Sequence, residues 1–217
     1  MASVASLVLL LAVVYAVGST FVVQPYVVPS AAMAPTLDKG ERIIVNKLAY
    51  RAYRLGMPQP GDVVVIKAPP GWNAGYESIR SRNTAVRWLQ NVLSVVGLVP
   101  RDANELVTRL AATGGQTIAC RSDTGLTLNG EPVAEPYLDT KTLGADPSVD
   151  PCLGPEFGPV TVPRDRLWVM NDNRTYGEDS RAHCASLPAD LELGILCTGD
   201  PSTGTVPADD VVGKARF

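Results

Sequence analysis

The chain has 217 residues, 46% of them hydrophobic, and a formal net charge of −3. That length holds one sizeable domain, alone or with an appendage, and the lack of basic blocks excludes a nucleic-acid partner. One His and four widely spaced Cys exclude paired C-x-x-C zinc knuckles, so neither a metal nor a cofactor is expected.

The first element is apolar. Residues 1–37 carry no charged side chain, and 2–23 are almost wholly hydrophobic. A helix of that length spans about 33 Å, close to the hydrocarbon thickness of a bilayer. A cleavable secretory signal competes, because "YAVGST" offers small residues at a suitable depth. The long run, with no basic residue ahead of it, favours a retained single-pass membrane anchor over residues 1–24. Its bare start suggests that a cytoplasmic tail has been lost or cut away. Flanking Lys and Arg cannot set its orientation, since the amino-terminal side has none. Cysteines paired in an oxidising compartment put residues 25–217 outside the cytoplasm.

Gly (19) and Pro (18) favour short strands and many turns. "RIIVNKLAY" (42–50) and "GDVVVIKAP" (61–69) are β-rich runs joined by a Pro/Gly connection. Residues 70–105 differ in kind. Val86, Leu89, Leu93 and Val96 recur at helical spacing, and Trp88, Val92 and Val95 broaden the stripe. Asn83 or Thr84 caps this helix, and Gly97 with Pro100 stops it. Periodicity leaves two readings open: a helix packed on the domain, or one lying in a membrane interface with Trp88 and Arg87 at headgroup depth.

From Leu106 onward short strands return, and "LNGEPV" carries the Asn-Gly signature of a tight hairpin. Residues 183–205 read as a Cys-bounded surface loop. "DDVVGKARF" ends the chain on a strand, as if more sequence followed. Four Cys permit three disulfide pairings. Cys184–Cys197 is the favoured local closure, leaving Cys120–Cys152; the competing reading is four buried free thiols. The expected fold is mainly β: one extracytoplasmic domain with a helical insertion over 70–105, behind one transmembrane helix.

Four segments carry a resemblance: "PSAAMAPTL" (29–37), "GDVVVIK" (61–67), "LVTRLAATGGQTI" (106–118) and "MNDNRTYGEDSRAHC" (170–184). In this order they resemble the boxes of the type I signal peptidases, membrane-bound Ser/Lys endopeptidases that remove signal peptides from exported proteins. The "SIRSRNTAVRW" insertion and the cysteine loop are similar to the actinobacterial branch. The resemblance implies a particular chemistry. A Ser hydroxyl is a poor nucleophile until a base takes its proton. The base in this family is a Lys made neutral by desolvation. A second Ser hydroxyl and a backbone N–H stabilise the oxyanion. The substrate pairs as an added strand and seats small side chains in shallow pockets.

Position by position, the resemblance breaks at the reacting groups. The family's nucleophile precedes Met in P-S-x-S-M-x-P-T-L, and that position is Ala32 here, followed by Met33 and Pro35, the expected substrate contacts. The family's base is the Lys of a Lys-Arg pair, here Thr108–Arg109. The Ser that orients the base is Gly177. Ser30, the oxyanion position, remains, and Asp172, Asn173, Arg174, Asp179, Ser180 and Arg181 match the last box; Asn171 replaces its first Gly. Rescue by other groups is not expected. Ser30 lies two residues from the nucleophile position, and about 1 Å of misplacement can cost 100-fold. Arg109 stays protonated, and Lys39, Lys47 and Lys67 lie in other segments. His183 with Ser180 and Asp179 invites a triad, but Asp179 and Arg181 fit a buried ion pair better.

Three functions follow. One is a catalytically inactive homologue that binds extended small-residue peptides (signal peptides or preproteins), with membrane lipid and an active homologous subunit as further partners. The alternatives are an active signal peptidase whose dyad is rebuilt from other residues, or one whose dyad was removed by engineering. One cause, relaxed drift, explains all three substitutions, and that favours the first.

Overall fold

A computed structural model of the chain describes residues 3–51, 57–73, 76–95, 99, 102–138, 146, 149–176 and 178–217. Helix α1 runs Val4–Phe21. The Ser3 hydroxyl oxygen accepts from the Ser6 N–H at 3.3 Å to cap its start. Its large side chains, from Val4 through Leu7–Leu11 to Tyr15, are exposed. Among the described residues no helix is long and apolar enough to cross a membrane. The structure therefore does not establish the anchor expected over 1–24.

Among the described residues twelve strands make the rest mainly β, as composition foretold. A seven-stranded sheet has the order β1 (Val23–Val27), β2 (Arg42–Asn46), β12 (Val211–Arg216), β3 (Val63–Lys67), β4 (Glu105–Thr113), β9 (Arg166–Met170), β11 (Val206–Pro207). A five-stranded sheet has the order β10 (Ile195–Leu196), β8 (Glu156–Thr161), β5 (Thr117–Arg121), β6 (Gly125–Leu128), β7 (Glu131–Pro132). Every pairing is antiparallel except β10 with β8. β3 is buried at Val63, Val64, Val65 and Ile66, which is why its run is apolar without alternation. The Asn-Gly hairpin forms between β6 and β7, with Asn129 and Gly130 at φ 54° and 83°. Both angles suit a type I′ turn.

Two expectations need correction, and the helix expected within 70–105 forms. The β-rich run over 42–50 stops at Asn46, whose side-chain oxygen accepts the Leu48 N–H at 3.0 Å and opens the short helix α2 (Leu48–Arg51). The excursion over 183–205 is more than a surface loop. It follows α4 (Ser180–His183), contains α5 (Pro188–Glu192), and adds β10 to the smaller sheet, with Cys197 buried in the core. Helix α3 (Thr84–Val95) forms within 70–105, and Asn83 caps it by accepting from Ala85 and Val86 at 3.0 and 3.3 Å. Its apolar side chains Val86, Trp88, Leu89 and Val92 are exposed, so they do not pack it on the domain. The expected helix stop at Gly97 and Pro100 lies outside the described residues.

Both disulfides pair as the local closure implied: Cys184–Cys197 and Cys120–Cys152, with no free Cys. Their sequence separations are 13 and 32. Loop-closure entropy gives about 3 and about 4 kcal/mol of stabilisation respectively. The pair Cys120→Ala/Cys152→Ala is therefore expected to lose more stability than Cys184→Ala/Cys197→Ala in urea unfolding, by about 1 kcal/mol on the same entropy argument.

Candidate functional site

The segment after β1 folds into a tight helical turn, Ala31–Met33, that packs against β4. The anchor of this turn is Met33. Its side chain is wholly buried in a cluster with Val28, Leu37, Ile43, Val63 and Val107. Met33 was expected to touch substrate; burial in that cluster withholds its side chain from a peptide. Pro35, expected to do the same, is not among the described residues lining the adjoining cleft.

The turn is pinned a second time from the loop after β9. The Asn173 backbone N–H donates to the Ala32 carbonyl at 2.9 Å, and its side-chain amide donates to the Ala31 carbonyl at 3.2 Å. The Thr36 hydroxyl donates to Asp172 at 2.5 Å. Asp172 itself is fully buried and takes a two-pronged bond from Arg109, 2.7 Å from Nε and 2.6 Å from Nη2. Arg109 spends its third nitrogen on the Gly61 carbonyl at 2.7 Å and lies over the Tyr137 ring, 3.7 Å from its centroid. Tyr137 in turn donates to Glu135, which pairs with Arg174. Burial, then the Glu135 charge, push the Tyr137 phenol up and keep it protonated. This network ties the turn, β4 and the 172–174 loop into one frame.

A cleft of about 370 Å³ opens beside the turn, lined among others by Ser30, Ala32, Leu106, Val107, Asn171 and Tyr176. Ala32 places a methyl group where the resemblance implies a nucleophile. The Ser30 hydroxyl oxygen accepts from the Ala32 N–H at 3.4 Å, so the hydroxyl and the amide stand together at the cleft wall, bonded to each other. Thr108 follows Leu106 and Val107 along β4. It is buried, and its hydroxyl donates to the Met170 carbonyl at 3.1 Å. A threonine hydroxyl has no basic nitrogen and cannot take a proton at neutral pH. Gly177 lies outside the described residues.

The other candidates are accounted for elsewhere. Asp179 and Arg181 form an ion pair at 2.7 Å, and Asp179 also accepts the Asn171 N–H at 3.0 Å. Ser180 accepts the Val169 N–H at 2.9 Å. His183 stacks on Trp72 with ring centroids 4.6 Å apart, and burial pushes its pKa down. The side chains of Asp179, Ser180 and His183 therefore serve three separate neighbours, and no triad forms. Among the described lysines, Lys39 is exposed, Lys67 pairs with Asp210 at 3.7 Å, Lys214 pairs with Asp62, and none lines the cleft. No group of His, Cys, Asp and Glu suited to a metal ion occurs among the described residues.

Sequence reading missed Asn73, Tyr76, Glu77 and Glu178 as cleft residues. The Tyr76 phenol donates to Asp102 at 2.6 Å, and that bond chiefly pushes its pKa up to about 12. Nothing in the periodicity of 70–105 could bring Asn73, Tyr76 and Glu77 to the cleft, because irregular backbone carries them there.

A model of the family described as signal peptidase, peptidase S26, matches residues 1–217. The chain belongs to this family. It is 59% identical over 210 residues to signal peptidase I of Mycobacterium tuberculosis strain H37Rv, covering 94% of this chain and 67% of that protein. The probable signal peptidase I of Mycobacterium leprae is 57% identical over 207 residues, covering 93% and 70%. Signal peptidase I T of Bacillus subtilis strain 168 is 30% identical over 174 residues, covering 80% and 72%. A signal peptidase I structure from Enterococcus faecalis V583 aligns over 73% of this chain and 97% of that one, at 19% identity and a TM-score of 0.41. Signal peptidase membership is thus settled by sequence, and the mainly β domain is the form it takes here.

Proposed function

We propose that this signal peptidase family member is catalytically silent and holds, without cutting, extended peptides that carry small side chains. The observation that carries the reading is the pair Ala32 and Thr108. Ala32 lines the cleft with a methyl group, and Thr108 is buried, its hydroxyl already donating to the Met170 carbonyl. Ala32 has no group to attack a peptide bond, and Thr108 has no basic nitrogen to remove a proton.

The binding half of the proposal rests on what surrounds them. β4 pairs with β3 from Glu105 to Arg109, but its pairing with β9 starts only at Arg109. Among the described residues no strand covers the other side of Leu106–Thr108, and Leu106 and Val107 line the cleft there. An extended peptide can add to such an edge through main-chain hydrogen bonds, while shallow pockets select alternate side chains. The Ser30 hydroxyl and Ala32 N–H would face one of its carbonyls. In this reading α1 anchors the chain in the cell membrane as a single pass, with residues 25–217 outside the cytoplasm. Its exposed apolar side chains and the two disulfides support that arrangement.

Peptide binding by the detergent-solubilised chain tests the reading. A signal peptide with Ala at both small positions is expected to bind at least about tenfold more tightly than one with Phe there, a gap of about 1.4 kcal/mol. Equal affinity would make the cleft irrelevant to recognition and sink the binding half of the proposal.

A further inference from the structure

Helix α3 is built the wrong way round for a helix of a water-soluble surface. At 100° per residue, Ala85, Val86, Trp88, Leu89, Val92 and Leu93 fall on one half of its circumference, and Arg87, Gln90, Asn91 and Ser94 on the other. The polar half holds the chain. Gln90 accepts the Ser81 N–H at 2.9 Å, and Asn91 accepts from Arg80 Nε at 2.9 Å. The apolar half faces away: Trp88 is 67% exposed, and Val86, Leu89 and Val92 are each close to half exposed. Ile79, just ahead of the helix, is exposed too. A loop that spends side-chain hydrogen bonds to fix a helix with its apolar face outward has a use for that face.

We infer that the apolar face of α3 lies in the lipid interface beside α1, as a second, in-plane membrane contact. Continuity identifies the occupant. α3 touches α1, whose large side chains from Val4 to Tyr15 are exposed, and α1 leads directly into β1. At that exit Val23, Val27 and Ile44 are exposed on one face of the β1–β2 pair. α3 and the first strands, each with exposed apolar side chains, thus both neighbour α1. Charge agrees with an anionic lipid surface. Arg82 and Arg87 are exposed, sit ahead of and on the polar half of α3, and have no ion pair among the described residues. An interfacial helix carries its cations on that half and its Trp and Leu on the other. Such a contact would hold the cleft at a fixed height near the membrane surface, since Tyr76 and Glu77 of the same insertion line it. The proposal rests on the reading of α1 as a membrane anchor.

Trp88 supplies the probe, because the other tryptophans, Trp72 and Trp168, are 5% and 0% exposed. The full chain is reconstituted into vesicles of phosphatidylcholine and phosphatidylglycerol, with and without brominated acyl chains, and floated on a density gradient. The expected result is flotation, a blue shift relative to the detergent-free aqueous emission of exposed Trp, and loss of most Trp88 emission in brominated lipid. Trp88→Phe is expected to remove that quenchable component and leave flotation unchanged. Flotation with Trp88 still open to aqueous iodide overturns the α3 proposal and leaves the anchor standing. Trp88 shielded from iodide yet untouched by bromine points to a protein partner, such as a second copy, and also overturns it. Failure to float overturns the anchor and the proposal together.

Discussion

The single change Ala32→Ser is expected to leave the chain unable to process a preprotein, whereas Ala32→Ser combined with Thr108→Lys is expected to cut slowly. The revertant hydroxyl would sit on a turn clamped by Met33 and by Asn173, so its placement is not the obstacle. The obstacle is the proton. A Ser hydroxyl attacks only as a base removes its hydrogen, and correctly placed general-base catalysis contributes about 100- to 10,000-fold. Thr108 cannot supply it. A lysine at that buried position would lose hydration, which lowers its pKa and frees the amine at neutral pH. Gly177, which has no hydroxyl to orient that amine, keeps the double variant below a native enzyme. The double variant should therefore exceed the single by at least about 100-fold in rate. Equal rates for the two would show that the proton acceptor is not at position 108.

The second large effect is on stability. Asp172→Ala is expected to cost about 3–5 kcal/mol, the range for removing one partner of a buried ion pair. The Arg109 guanidinium would lose two short hydrogen bonds in a nearly closed environment, and the Thr36 hydroxyl its acceptor. For a chain of this size that corresponds to a fall of roughly 10 °C in Tm. Asp172→Asn keeps an acceptor for Thr36 and should cost less. Thermal unfolding of the two variants beside the parent chain decides it. A loss under about 1 kcal/mol for Asp172→Ala, the ceiling of most exposed pairs, would mean that the frame around the cleft does not depend on this pair.

How much of this was legible beforehand varied with the physics involved. The strands were readable where burial imposes a run of apolar residues, as at Val63–Ile66, and the hairpin where backbone sterics demand Asn129–Gly130. The disulfides followed from local closure. The end of β2 was not readable, because the deciding event is one side-chain bond, from Asn46 to the Leu48 N–H. The burial of Met33 was hidden for a related reason. A residue beside a reactive position suggests contact with substrate, yet its burial depends on Val28, Ile43 and Val107, which are distant in sequence. The same limit hid Tyr76 and Glu178 at the cleft. The reading of Ala32 and Thr108 as substituted positions is the reverse case. Composition and spacing do not carry it, and it rests on the resemblance to the family alone.

Single-turnover incubation is the most direct measurement of the silence proposed for this cleft. The unaltered chain, in molar excess over a preprotein with an A-x-A site, is held in detergent and the mixture read by mass spectrometry. Intact preprotein throughout is the predicted result, with no mature product above a protein-free control. Mature product released at the A-x-A site, and lost when Ser30→Ala replaces the parent chain, would contradict it and make Ser30 a working nucleophile.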